Sequence, residues 1–332
     1  MAAGRPASAA ANAEPLVLEA RSATVGVVPP EAAGSRLDQA LARMFPDLSR
    51  NRLAVWTRAG RVRVDGARRD PKDKVWGGER IEVDRAPDER EAAFRPEAIA
   101  LDLVYEDGSI AVIDKPPGLV VHPGSGNWNG TLANALLHHA PRLGEVPRAG
   151  IVHRLDKDTS GLMVVAMSVE AQASLVRQLQ ARTVRRDYAA LVHGVVRRGG
   201  TVEAPIGRDA RLRTRMAVAA HGKPARTRYA VLEHFAGFTL LECSLDTGRT
   251  HQIRVHMDSI GHPVAGDPVY GPRRRHPLPP PGIARQALHA RRLALIHPLS
   301  GMPMQWESAV PADMQALLDS LRAGPKSGAR DG

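Results

Sequence analysis

One stretch of this chain leads a dense set of polar side chains directly into an apolar run. Residues 153–160 read His-Arg-Leu-Asp-Lys-Asp-Thr-Ser, and residues 162–166 read Leu-Met-Val-Val-Ala. The apolar run is short and rich in β-branched residues, which is typical of a buried strand. Placing ionisable groups beside a buried strand costs free energy unless they are paired or used. The stretch therefore predicts either a polar surface turn or a functional loop at the start of a core strand.

The N-terminal part of the chain predicts a small domain of two helices and short strands. Apolar residues recur at the spacing of one helical face up to Phe45, where Pro46 ends the helix. Ser49 is the predicted N-cap of a second helix, which Gly60 terminates. The predicted elements are helices over 37–45 and 50–57 and strands at 62–64 and 81–83, with a further short strand possible at 25–28.

The remainder of the chain reads as strands interrupted by a few helices. Turn residues such as Asp107-Gly108 and Gly199-Gly200 separate its apolar runs. Two long segments, 85–100 and 272–284, are rich in proline and charge and predict a linker and a surface loop. The predicted helices are 131–138, 168–182 and 312–321, and the predicted strands are 103–105, 110–113, 162–166, 188–196, 201–204, 225–234 and 238–245.

The charge balance favours a polyanionic partner. Lysine and arginine together number 46 against 35 aspartates and glutamates, a formal net charge of +11, and neutralising phosphates releases counterions. Cys243 is the only cysteine and lies in a predicted strand, so we expect a buried thiol. No run is apolar enough for a transmembrane helix, and the first 30 residues lack a signal-peptide pattern, so we expect a cytoplasmic protein without membrane contact.

The histidines do not predict a metal site. His251 and His256 are five residues apart, so on one strand they would face opposite sides, and the adjacent His138 and His139 diverge on a helix. The sequence contains no Cys-x-x-Cys or His-Glu-x-x-His pair, no P-loop and no Gly-x-Gly-x-x-Gly. We therefore expect the protein to need neither a metal nor a cofactor.

The motif His-Arg-Leu-Asp-x-x-Thr-Ser-Gly at 153–161 resembles the catalytic signature of the RluA family of RNA pseudouridine synthases. The similarity spans about 34–322 and is greatest to members that act on large-subunit ribosomal RNA. The N-terminal pattern resembles the S4 RNA-binding domain. This resemblance implies an α+β fold, in which an S4-like domain precedes a catalytic domain with a bent, mixed, largely antiparallel sheet flanked by helices. The expected boundaries are a disordered tail 1–33, the S4-like domain 34–84, a linker 85–100, the catalytic domain 101–322 and a disordered tail 323–332.

The resemblance also implies roles for individual residues. Asp156 matches the essential aspartate, which would break the N1–C1′ bond of a uridine as a nucleophile or as the base that removes a sugar proton. Arg249, in the motif Thr-Gly-Arg-Thr-His-Gln-Ile-Arg-Val-His at 247–256, is expected to pair with Asp156 and keep it ionised. Tyr188 is expected to stack on the flipped base and to take or relay the C5 proton. Arg154 is expected to enter the RNA helix as the base leaves.

Other residues are expected to support the active site or to dock the RNA. Supporting roles fall to His153, Leu155, Thr159, Ser160, Gly161 and Ile253. Arginines of the S4-like domain are expected to contact phosphates without reading sequence, and a solvated basic face is the alternative. These arginines are Arg50, Arg52, Arg58, Arg61 and Arg63, with Arg68 and Arg69 beside them.

The function implied by the resemblance is the isomerisation of uridines to pseudouridine in 23S ribosomal RNA or a large-subunit precursor, by a monomer. The helix 69 loop is the expected target. One alternative is the same chemistry on another ribosomal site or on transfer RNA. The other is a ribosome-assembly protein that binds RNA without catalysis, against which the joint presence of Asp156, Tyr188 and Arg249 argues.

Overall fold

The computed structural model describes residues 23–85, 94–124, 126–212, 214–270 and 282–324, and these form two compact units. The first unit comprises 23–85 and the second 94–324. No helix within the described ranges is long and apolar enough to cross a membrane. The predictions for the outermost tails, for much of the linker and for most of the 272–284 loop lie outside the described residues.

The first unit packs two helices against a three-stranded antiparallel sheet. Its helices are α1 (Leu37–Met44) and α2 (Arg50–Arg58), and its strands β1 (Ala23–Val27), β2 (Val62–Val64) and β3 (Arg80–Asp84) follow the order β1-β3-β2. Leu37 and Leu41 of α1 and Leu53 of α2 are fully buried, as the helical spacing of these apolar residues predicts. Ser49 accepts a hydrogen bond from the Arg52 N–H, so the predicted N-cap of α2 is confirmed.

The N-terminal boundary of this unit was predicted too late. Strand β1 pairs along its whole length with β3, and Val28 and Ala32 belong to the same apolar core. Residues 23–33 are therefore ordered parts of the domain and not a disordered tail. The sequence signal was weak because an edge strand of five residues with only partly buried side chains lacks a clear alternation.

The second unit is built on a nine-stranded sheet. The strands are β4 (Leu103–Glu106), β5 (Ile110–Lys115), β6 (Ser160–Ala166), β7 (Arg185–His193), β8 (Gly200–Glu203), β11 (Arg226–Phe235), β12 (Phe238–Leu245), β13 (Leu288–Ile296) and β14 (Pro303–Glu307). They run in the order β4-β5-β6-β13-β7-β12-β11-β8, with β14 paired to β13, and among them only β6 and β13 are parallel. The mixed, largely antiparallel sheet is therefore confirmed. A separate antiparallel pair comprises β9 (Ile206–Arg208) and β10 (Met216–Val218).

Helices cover both faces of the sheet around β6. Met163 and Val165 of β6 join the core that contains α3 (Leu132–His139) and α5 (Gln252–Ser259), whereas Leu162 and Val164 face α4 (Val169–Gln180). A strand buried on both sides has no polar face, which explains the continuous apolar run. The last helix, α6 (Ala312–Ala323), packs on a further apolar cluster.

The second half of the motif at 247–256 forms a helix, so the prediction that His251 and His256 lie on one strand is wrong. Helix α5 begins at Gln252, and all residues from 252 to 257 are buried. A helix that is buried on every side shows no periodicity in its apolar residues, so its sequence could not be distinguished from a short strand. Strands β9, β10, β13 and β14 were also missed.

Candidate active site

Asp156 lies in the loop that enters β6, and buried hydrogen bonds fix the shape of that loop. The Thr159 N–H donates to the Asp156 carbonyl at 3.1 Å, which closes a tight turn. The Lys115 ammonium, which is fully buried, donates to the Lys157 carbonyl at 2.9 Å and to the carbonyls of two further residues, Pro116 and Leu119. Burial lowers the pKa of Lys115 to about 8. The backbone of the loop that carries Asp156 is therefore hydrogen-bonded to the end of β5.

The end of the loop is locked where β6 meets β13. Gly161 has φ +110°, and a Cβ there would lie 2.4 Å from the Ala290 carbonyl oxygen, so only glycine fits. One residue earlier, the Ser160 hydroxyl and His289 Nδ1 are hydrogen-bonded at 3.0 Å. The close approach of the two parallel strands fixes the direction in which the loop leaves the sheet.

His153 and Leu155 hold the start of the loop. The Val164 N–H donates to His153 Nε2 at 3.1 Å, so this nitrogen carries no proton. Burial, with a contribution from Arg186, lowers the pKa of His153 to about 3, and the ring is neutral at ordinary pH. Leu155 and Ile253 belong to one apolar cluster, which joins the loop to helix α5.

The cation that faces Asp156 comes from α5. Arg254 Nη1 donates to Asp156 Oδ2 at 2.9 Å, while its Nε and Nη2 donate to Asp267 at 2.6 and 2.9 Å. Arg254 is 5% exposed in its side chain, that of Asp156 is 17% exposed, and that of Asp267 is fully buried. Burial opposes the charge of Arg254, but pairing with the two carboxylates outweighs it and raises the pKa of the guanidinium. The arrangement therefore places the positive charge of Arg254 directly against the Asp156 carboxyl group.

The prediction that Arg249 pairs with Asp156 is wrong. Arg249 Nε donates to the Pro224 carbonyl at 3.1 Å, although the side chain does line the same cleft. Arg249 precedes α5, whereas Arg254 lies within its first turns and is carried towards Asp156 by the helix. Arg254 is the second arginine of the same motif, so the sequence did contain the residue that pairs with Asp156. Choosing Arg254 over Arg249 required knowing that a helix begins at Gln252.

Tyr270, which the sequence did not predict as a site residue, supports the positions of His251 and Arg254. Its hydroxyl receives a hydrogen bond from the Met216 N–H at 3.1 Å and is bonded to His251 Nδ1 at 2.9 Å, while the Arg254 guanidinium lies 5.1 Å from its ring centre. His251 Nε2 lies 3.9 Å from Asp156 Oδ1. Burial lowers the pKa of His251, although Asp156 opposes that effect. No local pattern marks Tyr270, because its partners come from distant segments.

Tyr188 projects from β7 towards the same cleft. It is 5% exposed and lines the cleft together with Asp156. Burial raises the pKa of its hydroxyl. The positive charge of Arg186 opposes this effect, and the negative charge of Asp156 adds to it. The phenol is therefore protonated at neutral pH.

The cleft has a volume of about 850 Å³ and a strongly basic lining. Two carboxylates, Asp156 and Asp246, face six arginines along its described walls. Such a surface favours a polyanion, since phosphate groups offset the repulsion between the guanidinium groups. The arginines are Arg148, Arg154, Arg182, Arg186, Arg249 and Arg254. No cluster of His, Cys, Asp and Glu that could hold a metal occurs among the described residues.

Some of the predicted docking arginines of the first unit are engaged within their own domain. Arg50 Nη2 lies 2.9 Å from Asp38 Oδ2, and Arg61 lies 3.6 Å from Asp84. Burial of Asp38 is outweighed by hydrogen bonds from Arg36 and Arg50, so the pKa of Asp38 lies below its usual value. Arg58 is exposed at the end of α2.

Family models match both units of the chain. The RNA pseudouridylate synthase model matches residues 109–259, and the S4 domain model matches residues 35–81. The chain is 58% identical over 303 residues to the ribosomal large subunit pseudouridine synthase D of Nitrosomonas europaea, covering 90% of this chain and 88% of that protein. It is 54% identical over 302 residues to the protein of the same name from Escherichia coli K12, covering 87% of this chain and 91% of that one.

Solved structures show the same likeness. Human RNA pseudouridylate synthase domain containing 1 superposes with a TM-score of 0.51 at 27% identity, covering 69% of this chain and 97% of that chain. Human RNA pseudouridylate synthase domain containing 4 gives a TM-score of 0.53 at 25% identity, covering 67% and 93%. With sequence identity above half over most of its length and a matching fold, this chain belongs to the RNA pseudouridylate synthase family of isomerases.

Proposed function

We propose that the protein isomerises specific uridines of large-subunit ribosomal RNA to pseudouridine, with Asp156 as the group that breaks the glycosidic bond. The names of the relatives support the class of RNA. The observation that carries the chemistry is the Arg254–Asp156 contact of 2.9 Å in an arginine-lined cleft. The arginines of the cleft suit an anionic polymer, and the carboxylate that Arg254 holds among them can act on an uncharged nucleoside of that polymer.

Bond breaking falls to the carboxylate. Asp156 Oδ2 is held by Arg254, and 17% of the Asp156 side chain is exposed, so an oxygen remains open to the cleft. An ionised carboxylate either attacks the sugar or removes a sugar proton, and in both routes the electron pair of the N1–C1′ bond leaves with the base. Arg254 serves both routes because its hydrogen bond at 2.9 Å holds the Asp156 carboxylate in place.

Access to the base requires that it leave the RNA helix. Extruding a nucleotide costs a few kcal/mol of stacking and pairing. Arg154 is exposed at the cleft and two residues from Asp156, where its planar guanidinium is placed to stack in the space that the base vacates. We propose that this contact offsets part of the cost of flipping.

Rejoining the base through C5 leaves a proton to be moved. The new C5–C1′ bond forms, C5 loses its hydrogen and N1 gains one, so the reaction is balanced without a cofactor. Because the Tyr188 phenol is protonated, it can accept the C5 proton only while it passes its own proton on, as a relay. Its ring also offers a stacking surface for the free base.

The S4 domain is proposed to position the RNA without reading its sequence. We further propose the helix 69 loop as the target, a monomeric enzyme and a cytoplasmic location. The chemistry proposed for Asp156 does not depend on the target loop, the oligomeric state or the location.

The substrate is tested by mapping pseudouridines in unmodified RNA after incubation with the purified protein. Transcripts of 23S ribosomal RNA and of transfer RNA are compared in parallel, with Asp156→Ala as the inactive control. We expect new pseudouridines in the helix 69 loop of 23S ribosomal RNA and none in transfer RNA. Modification of transfer RNA alone would contradict the proposed substrate, although not the chemistry.

A further inference from the structure

A buried arginine of the cleft lacks a carboxylate partner. Arg186 lies on β7, two residues before Tyr188, and is 7% exposed. Among the described residues its side chain makes one hydrogen bond, from Nη2 to the Leu245 carbonyl at 3.4 Å, and its buried Nε has none. Burial lowers the pKa of Arg186, yet a guanidinium stays charged in proteins. The fold therefore keeps a positive charge without an ion-pair partner in the described wall of the cleft, which costs free energy.

The carboxylates near Arg186 are engaged elsewhere. Asp187 faces the opposite side of the sheet, as adjacent strand residues do, where Arg185 Nε donates to it at 2.6 Å. Asp246 exerts an electrostatic effect on Arg186, but its Oδ1 accepts a hydrogen bond from Arg228 at 2.7 Å. Neither carboxylate forms an ion pair with Arg186 in the described part of the chain.

One nitrogen of Arg186 is left open by a glycine. A Cβ on Gly248 would lie 3.0 Å from Arg186 Nη1. Gly248 does not have a positive φ, so its backbone conformation would accept another residue. Because Gly248 has no side chain, it leaves space beside Arg186 Nη1. Both residues line the cleft.

We propose that Arg186 binds a backbone phosphate of the substrate RNA beside the flipped uridine. Arg186 and Tyr188 are on the same face of β7, about 6.6 Å apart along the strand, a spacing on the scale that separates a base from its own backbone phosphate. With the uridine base stacked on Tyr188, a phosphate therefore reaches Arg186. A phosphate supplies the negative charge that Arg186 lacks, and guanidinium groups bind phosphate oxygens strongly.

This inference rests on the proposed RNA substrate and adds a binding residue to it. The test uses single-turnover conversion of an RNA hairpin that contains the target uridine, in which one flanking phosphate at a time is replaced by an uncharged methylphosphonate. Wild type is compared with Arg186→Gln. Arg322→Gln serves as the control for loss of one positive charge, since Arg322 pairs with Glu233 and does not line the cleft.

We expect Arg186→Gln to need about tenfold more RNA for half-maximal rate at an unchanged maximal rate, as for loss of one charged hydrogen bond. One methylphosphonate should weaken wild type by a similar factor and leave Arg186→Gln unaffected. Equal sensitivity of both proteins at every phosphate would overturn the inference. So would a lower maximal rate with unchanged half-saturation, because Arg186 would then act on the uracil during the reaction.

Two further measurements keep the test decisive. Removing an unpaired buried charge should leave the melting temperature of Arg186→Gln no lower than that of wild type. Arg186→Lys, which retains the charge, should recover most of the RNA affinity. Arg186→Met, which also removes the charge, replaces Arg186→Gln if that variant does not fold. If wild type converts no uridine in the unmodified hairpin, the proposed function fails, which is distinct from a failure of the phosphate contact.

Discussion

At the scale of single residues, two carboxylates share one guanidinium. Asp267 accepts from Arg254 Nε and Nη2, and the remaining Nη1 is thereby aimed at Asp156. Because Asp267 is fully buried in its side chain, it has no competing interaction with water. The orientation of the guanidinium plane, and not only its charge, therefore determines where the Asp156 carboxylate lies.

A change of arginine to lysine tests that orientation. Arg254→Lys keeps the charge but lacks the planar fork that reaches both carboxylates at once. We expect the maximal single-turnover rate to fall about a hundredfold, since small displacements of reacting groups have effects of that order. Arg249→Lys should lower the maximal rate much less, because Arg249 contacts Pro224 and not Asp156. Equal losses in the two variants would contradict the pairing described above.

Tyr188→Phe separates stacking from proton transfer. Phenylalanine keeps the ring but lacks the hydroxyl, so a relay through oxygen becomes impossible. General acid–base groups contribute about a hundred- to ten-thousandfold, and we expect a slowing in that range. With uridine deuterated at C5, the variant should also show a kinetic isotope effect. A variant that converts uridine at the wild-type rate would leave Tyr188 as a stacking surface alone.

At the scale of elements, the junction of β6 with β13 determines the geometry of the loop that carries Asp156. Gly161→Ala would place a Cβ 2.4 Å from Ala290 O in a conformation that disfavours side chains. We expect a loss of about 3 kcal/mol in the free energy of unfolding, as for an overpacked core. Gly237 in the β11–β12 turn has φ +78° with open space around it, so Gly237→Ala should cost only about 1 kcal/mol. Denaturant unfolding measures the loss of stability in both variants. Equal losses would contradict a steric clash at Gly161.

The elements differ in how well the sequence predicts them. Strand β6 and helix α2 carry local signals, an apolar run in one and the Ser49 N-cap in the other, and both are confirmed. Helix α5 is buried on every side and carries no such signal. The active-site pair Asp156–Arg254 spans 98 residues of chain, so a pairing inferred from one motif could not be corrected until α5 was placed.

At the scale of the whole molecule, each unit has an apolar core of its own. Asp156 and every other residue that lines the described cleft belong to the second unit. Removal of residues 1–85 should therefore raise the RNA concentration for half-maximal rate at least tenfold, while the maximal single-turnover rate stays near that of the full chain. If the maximal rate at saturating RNA collapses, the S4 domain contributes to the active site itself.

The claim that the Asp156 carboxylate breaks the glycosidic bond is tested most directly by Asp156→Asn. Asparagine has nearly the same shape but no negative charge, so it supports neither attack on the sugar nor removal of a sugar proton. The measurement is single-turnover conversion of uridine in saturating 23S ribosomal RNA, with RNA affinity and melting temperature recorded on the same preparation. We expect no detectable pseudouridine from a folded variant that still binds RNA. Conversion at a rate near that of wild type would contradict the claim.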